Sequence, residues 1–135
     1  MSGSPSVLLA EPDPAVSDPV TALLRRRGYA VEHVRTAAEA ETRLRDLLPD
    51  LLIAELLLPG GSGARVAELA KARSDGHLPV VMLSVLSRPV HRDYALAVGA
   101  DVYLSKPFRA SALLAAAWRL CPITRPVACF AGAGI

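Results

Sequence analysis

Apolar residues recur along this chain in two alternating rhythms. Five short runs, Ser6–Ala10, Ala30–Val34, Leu51–Ala54, Val80–Ser84 and Val102–Leu104, have strand length and are separated by longer stretches with helical spacing. Leu51–Ala54, Val80–Ser84 and Val102–Leu104 are unbroken apolar runs, the pattern of strands covered on both faces. Ala30–Val34 instead alternates apolar and polar residues, as an edge strand does. Strands alternating with helices predict a parallel sheet with right-handed crossovers and helices on both faces.

Local signals set the helix boundaries. Pro12, Pro14 and Pro19 crowd the first helix. Asp18-Pro19 reads as an N-cap followed by Pro at the first helical position, which predicts a helix from about Pro19 to Arg27 that stops at Gly28. A preceding turn over Pro14–Ser17 would be kinked at Pro19. Thr36-Ala37-Ala38-Glu39 is a capping box that opens a second helix to about Leu48. The Gly60-Gly61-Ser62-Gly63 loop precedes a third helix ending near Arg73. Ser87 is the expected cap of a fourth helix ending at Gly99, and a fifth runs from near Phe108 to before Pro122. The domain expected is 1–121, with 122–135 a tail or linker.

Composition narrows the class. At 52% hydrophobic and 21% charged residues, 135 residues suffice for one packed domain. With 4% aromatics, the core must be built from Leu, Val and Ala. Fifteen Lys and Arg against 13 Asp and Glu is too even a balance to point to nucleic acid or an anionic membrane. Arg25-Arg26-Arg27 reads as cations favouring a helix C-terminus. Cys121 and Cys129 are too few for a disulfide framework, and no Cys/His cluster has metal-ligand spacing. A reduced, cytoplasmic setting is expected. Met1–Pro5 lacks the charge and apolar pattern of a signal peptide. No apolar run reaches the roughly 18–20 residues of a membrane span. His33, His77 and His91 are scattered and expected at the surface.

Candidate chemistry gathers where the strands end. Glu55 closes the third run and is followed by a loop through Pro59-Gly60. A buried strand ending in one carboxylate displays it at the carboxyl edge of a sheet, where open α/β folds build their sites. Alone it would be a solvated strand-end carboxylate. The Gly60–Gly63 loop matches neither a Walker sequence nor GxGxxG, so it reads as a turn and not a phosphate cradle.

Four segments together resemble a response-regulator receiver domain of the CheY-like superfamily over about residues 6–120. Val7–Pro14 resembles its first strand and acidic turn, and Pro49–Gly63 its phosphoacceptor strand and following loop. Leu78–Ser84 resembles its fourth strand with a terminal hydroxyl, and Gly99–Phe108 its fifth with Lys106-Pro107. The resemblance implies a flavodoxin-like five-stranded parallel sheet of order 2-1-3-4-5 and a cis Lys106–Pro107 bond. It also implies a site in which two adjacent acids help hold Mg²⁺, an Asp accepts a phosphoryl group, and a hydroxyl and a Lys hold its oxygens. Carried over, the acids fall on Glu11 and Pro12, the acceptor on Glu55, the hydroxyl on Ser84, the cation on Lys106 and the switch aromatic on Tyr103.

Two of those positions depart from the family pattern. Pro12 offers no side-chain oxygen, and Asp13 beside it is expected to point away from the strand end. Glu55 is one methylene longer than Asp, and a misplacement of about 1 Å can cost on the order of 100-fold in rate. Lys106 is expected to reach Glu55 directly. The reading is therefore an atypical, non-enzymatic receiver that acts without phosphorylation, with Mg²⁺ binding weak or absent. Its partner would be a signalling protein on the helix 4–strand 5–helix 5 face, through residues such as Val90, Tyr94, Tyr103, Leu113 and Leu114. A homodimer is a second arrangement. No direct nucleic-acid or membrane contact is expected. The alternatives are a working phosphorelay receiver with a non-standard acceptor and a small-molecule regulator using the vacated acidic pocket.

Overall fold

The computed structural model describes residues 3–124. Five strands, β1 (Ser6–Ala10), β2 (Ala30–Val34), β3 (Leu51–Glu55), β4 (Val80–Ser84) and β5 (Val102–Ser105), form one sheet of order β2-β1-β3-β4-β5. All four pairings are parallel. The helices are α1 (Pro14–Arg26), α2 (Ala37–Asp46), α3 (Gly63–Arg73), α4 (Pro89–Ala97) and α5 (Ala110–Leu120). None of them is long and apolar enough to cross a membrane.

The strand alternation decides which residue faces which layer. Leu8, Ala10, Leu52, Ala54, Val80 and Met82 face α2, α3 and α4. Their neighbours Val7, Leu9, Leu51, Ile53, Val81 and Leu83 face α1 and α5. Every residue of β3 and β4 is buried, which is why those runs carry no alternation. Edge strand β2 buries Val31 and Val34 and exposes Ala30 and Glu32. At the foot of the sheet the Tyr29 hydroxyl donates to the Cys121 carbonyl at 2.8 Å in a buried contact, tying the end of α5 to the start of β2. Ile123 still packs on this face. The expected tail or linker falls mostly on residues 125–135, outside the described residues, as does Cys129. Among the described residues Cys121 is in no disulfide, and its pKa is raised by burial first and by the Asp50 charge second.

Several boundaries differ from the sequence reading. The first helix starts at Pro14 and runs unbroken through Pro19. Its N-cap is Asp13, whose carboxylate accepts from the Ala15 N–H at 2.9 Å. Asp13-Pro14 and Asp18-Pro19 carry the same cap signal, and the earlier pair wins because it lets Ser17 and Val20 turn inward with Leu24. Pro19 then removes one helical bond, leaving the Ala15 carbonyl without its i+4 donor. The second helix stops at Asp46, with Leu47 already extended. Arg88, not Ser87, precedes the fourth helix, because Pro89 at the first helical position holds Arg88 extended. The fifth helix starts at Ala110, two residues later than expected. His33 and His91 are half-buried and not fully at the surface.

The α1 arrangement carries a prediction. Pro19→Ala restores a donor for the Ala15 carbonyl and relieves the ring against it, at the cost of a more flexible unfolded chain. Net stabilisation of about 1–2 kcal/mol is expected in urea unfolding. Unchanged or lower stability would show that this turn departs from regular helical bonding.

Candidate functional site

The positions expected to form the phosphoacceptor site sit at the carboxyl edge of the sheet or just beyond it. Glu11 follows β1, Glu55 closes β3, Ser84 closes β4 and Lys106 follows β5. Parallel register brings the four strand ends level, so residues far apart in sequence meet here. The Lys106–Pro107 bond is cis.

Lys106 is the hub. Its ammonium donates to Glu11 Oε1 at 2.7 Å and to Glu55 Oε1 at 2.5 Å. The remaining carboxylate oxygens are also engaged. Glu11 Oε2 accepts from the Asp13 N–H at 3.0 Å, and Glu55 Oε2 from the Leu57 N–H at 2.8 Å. Glu11 is fully buried and Glu55 is 4% exposed. A partly buried cation shared by two buried carboxylates, with a backbone N–H on each acid, holds the three groups only as a set. Burial by itself would lower the Lys106 pKa. Hydrogen bonds to Glu11 and Glu55, reinforced by their charges, outweigh it and hold the ammonium above its ordinary range.

The other expected positions divide. Ser84 is fully buried, and its hydroxyl accepts from the Leu86 N–H at 3.2 Å. Tyr103 is half-buried against the α2–α4 layer and donates its hydroxyl to the Leu86 carbonyl. Burial raises its pKa; the Glu55 charge adds to that rise and a hydrogen bond to Ser84 opposes it. Pro12 contributes no oxygen, and Asp13 is exposed and committed to capping α1. Val90 and Tyr94 stand 61% and 53% exposed on α4. Leu113 is a correction: it is fully buried beneath α5, on the α1 side of the sheet, so it is core and not a contact residue. Leu114 is only partly buried on the same layer.

Three contributors escaped the sequence reading. His33 Nε2 lies 2.8 Å from the Glu11 carbonyl oxygen, pinning the chain just before the first acid turns inward. Leu86 joins Ser84 to Tyr103 through its backbone. Gly63 is the third: a Cβ there would lie 2.2 Å from the Glu55 carbonyl oxygen. Glycine at 63 lets α3 begin directly against the strand that carries Glu55, and the Gly63 N–H donates to the Leu56 carbonyl at 2.8 Å. The glycine-rich loop is therefore a close-packing device at this position.

The comparisons with known proteins agree with this architecture. The family model for the response regulator receiver domain matches residues 7–117. The chain is 34% identical over 109 residues to the DNA-binding response regulator MtrA of Mycolicibacterium smegmatis, covering 81% of this chain and 47% of that protein. It is 36% identical over 112 residues to the phosphate regulon transcriptional regulatory protein PhoB of Rhizobium meliloti, covering 82% and 49%. The chain thus spans about half the length of the curated relatives it matches. Among solved structures, a putative response regulator from Chloroflexus aurantiacus superposes with a TM-score of 0.81 at 27% identity, covering 87% of this chain and 97% of that one. A receiver domain of a signal transduction histidine kinase from Syntrophus aciditrophicus gives 0.78 at 31% identity, covering 87% and 89%. The chain belongs to the response regulator receiver domain family, whose members are signalling modules of two-component systems.

Mg²⁺ wants near-octahedral oxygen ligands at about 2.0–2.1 Å. The side chains converging here offer it two carboxylates, each already holding Lys106 and a backbone N–H. Among the described residues no group of three acidic, His or Cys side chains gathers at one point. This donor set does not fit a Mg²⁺ centre without first breaking the Lys106 contacts.

Two substitutions test the geometry. Lys106→Met leaves both carboxylates buried without a cation and should cost about 3–5 kcal/mol near neutral pH, read by urea unfolding. Because the folded-state pKa of Lys106 is raised, its contribution is present through neutral pH and is lost only as pH climbs through that raised value, beyond 10.5. The stability gap between the two proteins should hold between about pH 8 and pH 10 and narrow above that. Gly63→Ala should destabilise by about 1–3 kcal/mol, since backbone must move to admit the methyl group. Its amide spectrum should change around Glu55 and Leu56; a spectrum changed only in α3 would contradict the close-packing role.

Proposed function

We propose that this receiver signals through protein contact without being phosphorylated. The observation that carries the reading is the closed set of Lys106 with Glu11 and Glu55. The cation that would greet an incoming phosphoryl group is already held by two carboxylates, and every oxygen of those carboxylates has a protein donor. Glu55 carries its carboxylate one methylene further than Asp, and Pro12 brings no second acid. Mg²⁺ would have to compete with a buried ammonium for its ligands, so binding is weak or absent. A nucleophile misplaced by about 1 Å and a missing metal ligand act on the same step, and their costs compound.

The partner surface in this reading is the α4–β5–α5 face. Val90 and Tyr94 stand exposed on α4. Tyr103 and Leu86 connect that region to Ser84 and the closed site. The Glu55–Lys106 contact then takes over the role of a phosphoryl group in fixing this region, with less charge. A signalling protein in the cytoplasm is the partner proposed, and a second copy is the competing one. Residues 3–124 are assigned no DNA contact; the DNA binding in the relatives' names belongs to those proteins. The small-molecule reading loses its acidic pocket, since Lys106 fills it.

Phosphorylation tests this directly. Incubated with a phosphoramidate and Mg²⁺, the unsubstituted protein should gain no phosphoryl mass. Glu55→Asp alone and Pro12→Asp alone should gain little. The double variant should be labelled, with strongly non-additive rates, because the two positions act as one unit. A stable phosphoryl adduct on the unsubstituted protein would establish the working-receiver alternative instead.

A further inference from the structure

Beside the closed site a groove of about 560 Å³ runs along α1, within the range of small-molecule sites. Its floor is apolar: Val16, Val20 and Leu23 from α1 face Phe108 and Leu113 at the start of α5. Val20 and Leu113 are buried, while Val16, Leu23 and Phe108 are only partly covered. From Val16 to Arg26 the helix advances about 15 Å at 1.5 Å per residue, so the groove is elongated.

Its two ends differ in charge. At the N-terminal end of α1 stands the Asp13 carboxylate, which caps the helix. Lys106 lines the same end, but its charge is held by Glu11 and Glu55. At the other end stands Arg26, exposed and in no ion pair among the described residues. An anionic group is therefore disfavoured beside the Asp13 carboxylate and drawn by the Arg26 guanidinium at the other end, with hydrocarbon between.

We propose that this groove binds an elongated apolar monoanion, of the class of medium-chain carboxylic acids, with its carboxylate on Arg26 and its hydrocarbon body over Val20 and Phe108. Guanidinium and carboxylate match as a two-pronged, charge-assisted pair. Burying the chain against α1 and α5 removes apolar surface from water. The site uses neither Glu55 nor phosphate, so it stands or falls separately from the signalling reading above. Occupancy would brace α1 against the Pro107–Phe108 loop, one residue from Lys106.

The test is a titration of the ¹⁵N-labelled 135-residue chain with dodecanoate below its micelle concentration, with dodecyltrimethylammonium as the cationic control. Dodecanoate should give saturable amide shifts at Val16, Val20, Leu23 and Phe108, and the control should not. Arg26→Glu should weaken binding by at least about tenfold, the worth of one charge-assisted contact. Ala15→Trp, a change at an exposed position, should obstruct the groove and abolish the shifts while the circular dichroism spectrum is unchanged. Absence of saturable shifts, equal binding of the cationic control, or an unaltered affinity in Arg26→Glu would each overturn the proposal. So would an acidic amphipathic peptide that saturates the groove where dodecanoate does not.

Discussion

The upper edge of this domain depends on one ammonium group shared between two carboxylates. Glu11, Glu55 and Lys106 come from three different strand ends, and none could be buried alone. Lys106 reaches both acids, leaving one net negative charge shared among the three, only because parallel pairing brings the strand ends level and because Gly63 lets α3 close against β3. Once it is in place, the acids have no free oxygen and the cation has no uncommitted charge. The same contact that makes burial tolerable engages the groups on which the proposed loss of phosphoryl transfer rests.

The consequences spread through backbone bonds. Lys106 N–H donates to the Ser84 carbonyl at 2.7 Å, Ser84 holds Leu86, and Leu86 holds Tyr103. This path leads from the closed site to the exposed start of α4. α4 itself is weakly fixed: its cap makes no side-chain bond, and Ala95 is its one buried residue. A short helix held by so little is well suited to accommodate a partner, and its position is biased by whatever holds Leu86 and Tyr103.

Much of this was legible in the sequence, for identifiable reasons. The β3 and β4 runs are apolar at nearly every position because both faces are covered, and such runs have no competing reading beside helical segments. Glu55 stood out because it ends such a run, and its contact with Lys106 followed from the length of both side chains. α1 was misread because Asp13-Pro14 and Asp18-Pro19 send the same local signal, and the choice between them is made by which residues the sheet can bury. Gly63 was read as loop chemistry because the group a side chain there would strike is the Glu55 carbonyl, eight positions away in sequence and invisible to local pattern. His33 and Leu86 act through backbone carbonyls, which leave no side-chain signature. Glu11 was placed at the turn after β1 by the resemblance, but its direct bond to Lys106 depends on how that turn aims the side chain, which no local pattern states.

The central claim is that Lys106 is locked between Glu11 and Glu55, so that Mg²⁺ has no place there. The chain has two lysines, Lys71 and Lys106, so side-chain ¹⁵N spectra of the ammonium groups can be assigned with a single substitution. The account predicts that the Lys106 ammonium signal is protected from solvent exchange and does not move when Mg²⁺ is raised to millimolar levels. A saturable shift of that signal with Mg²⁺, accompanied by faster exchange, would show that the metal displaces the lysine, and would contradict it.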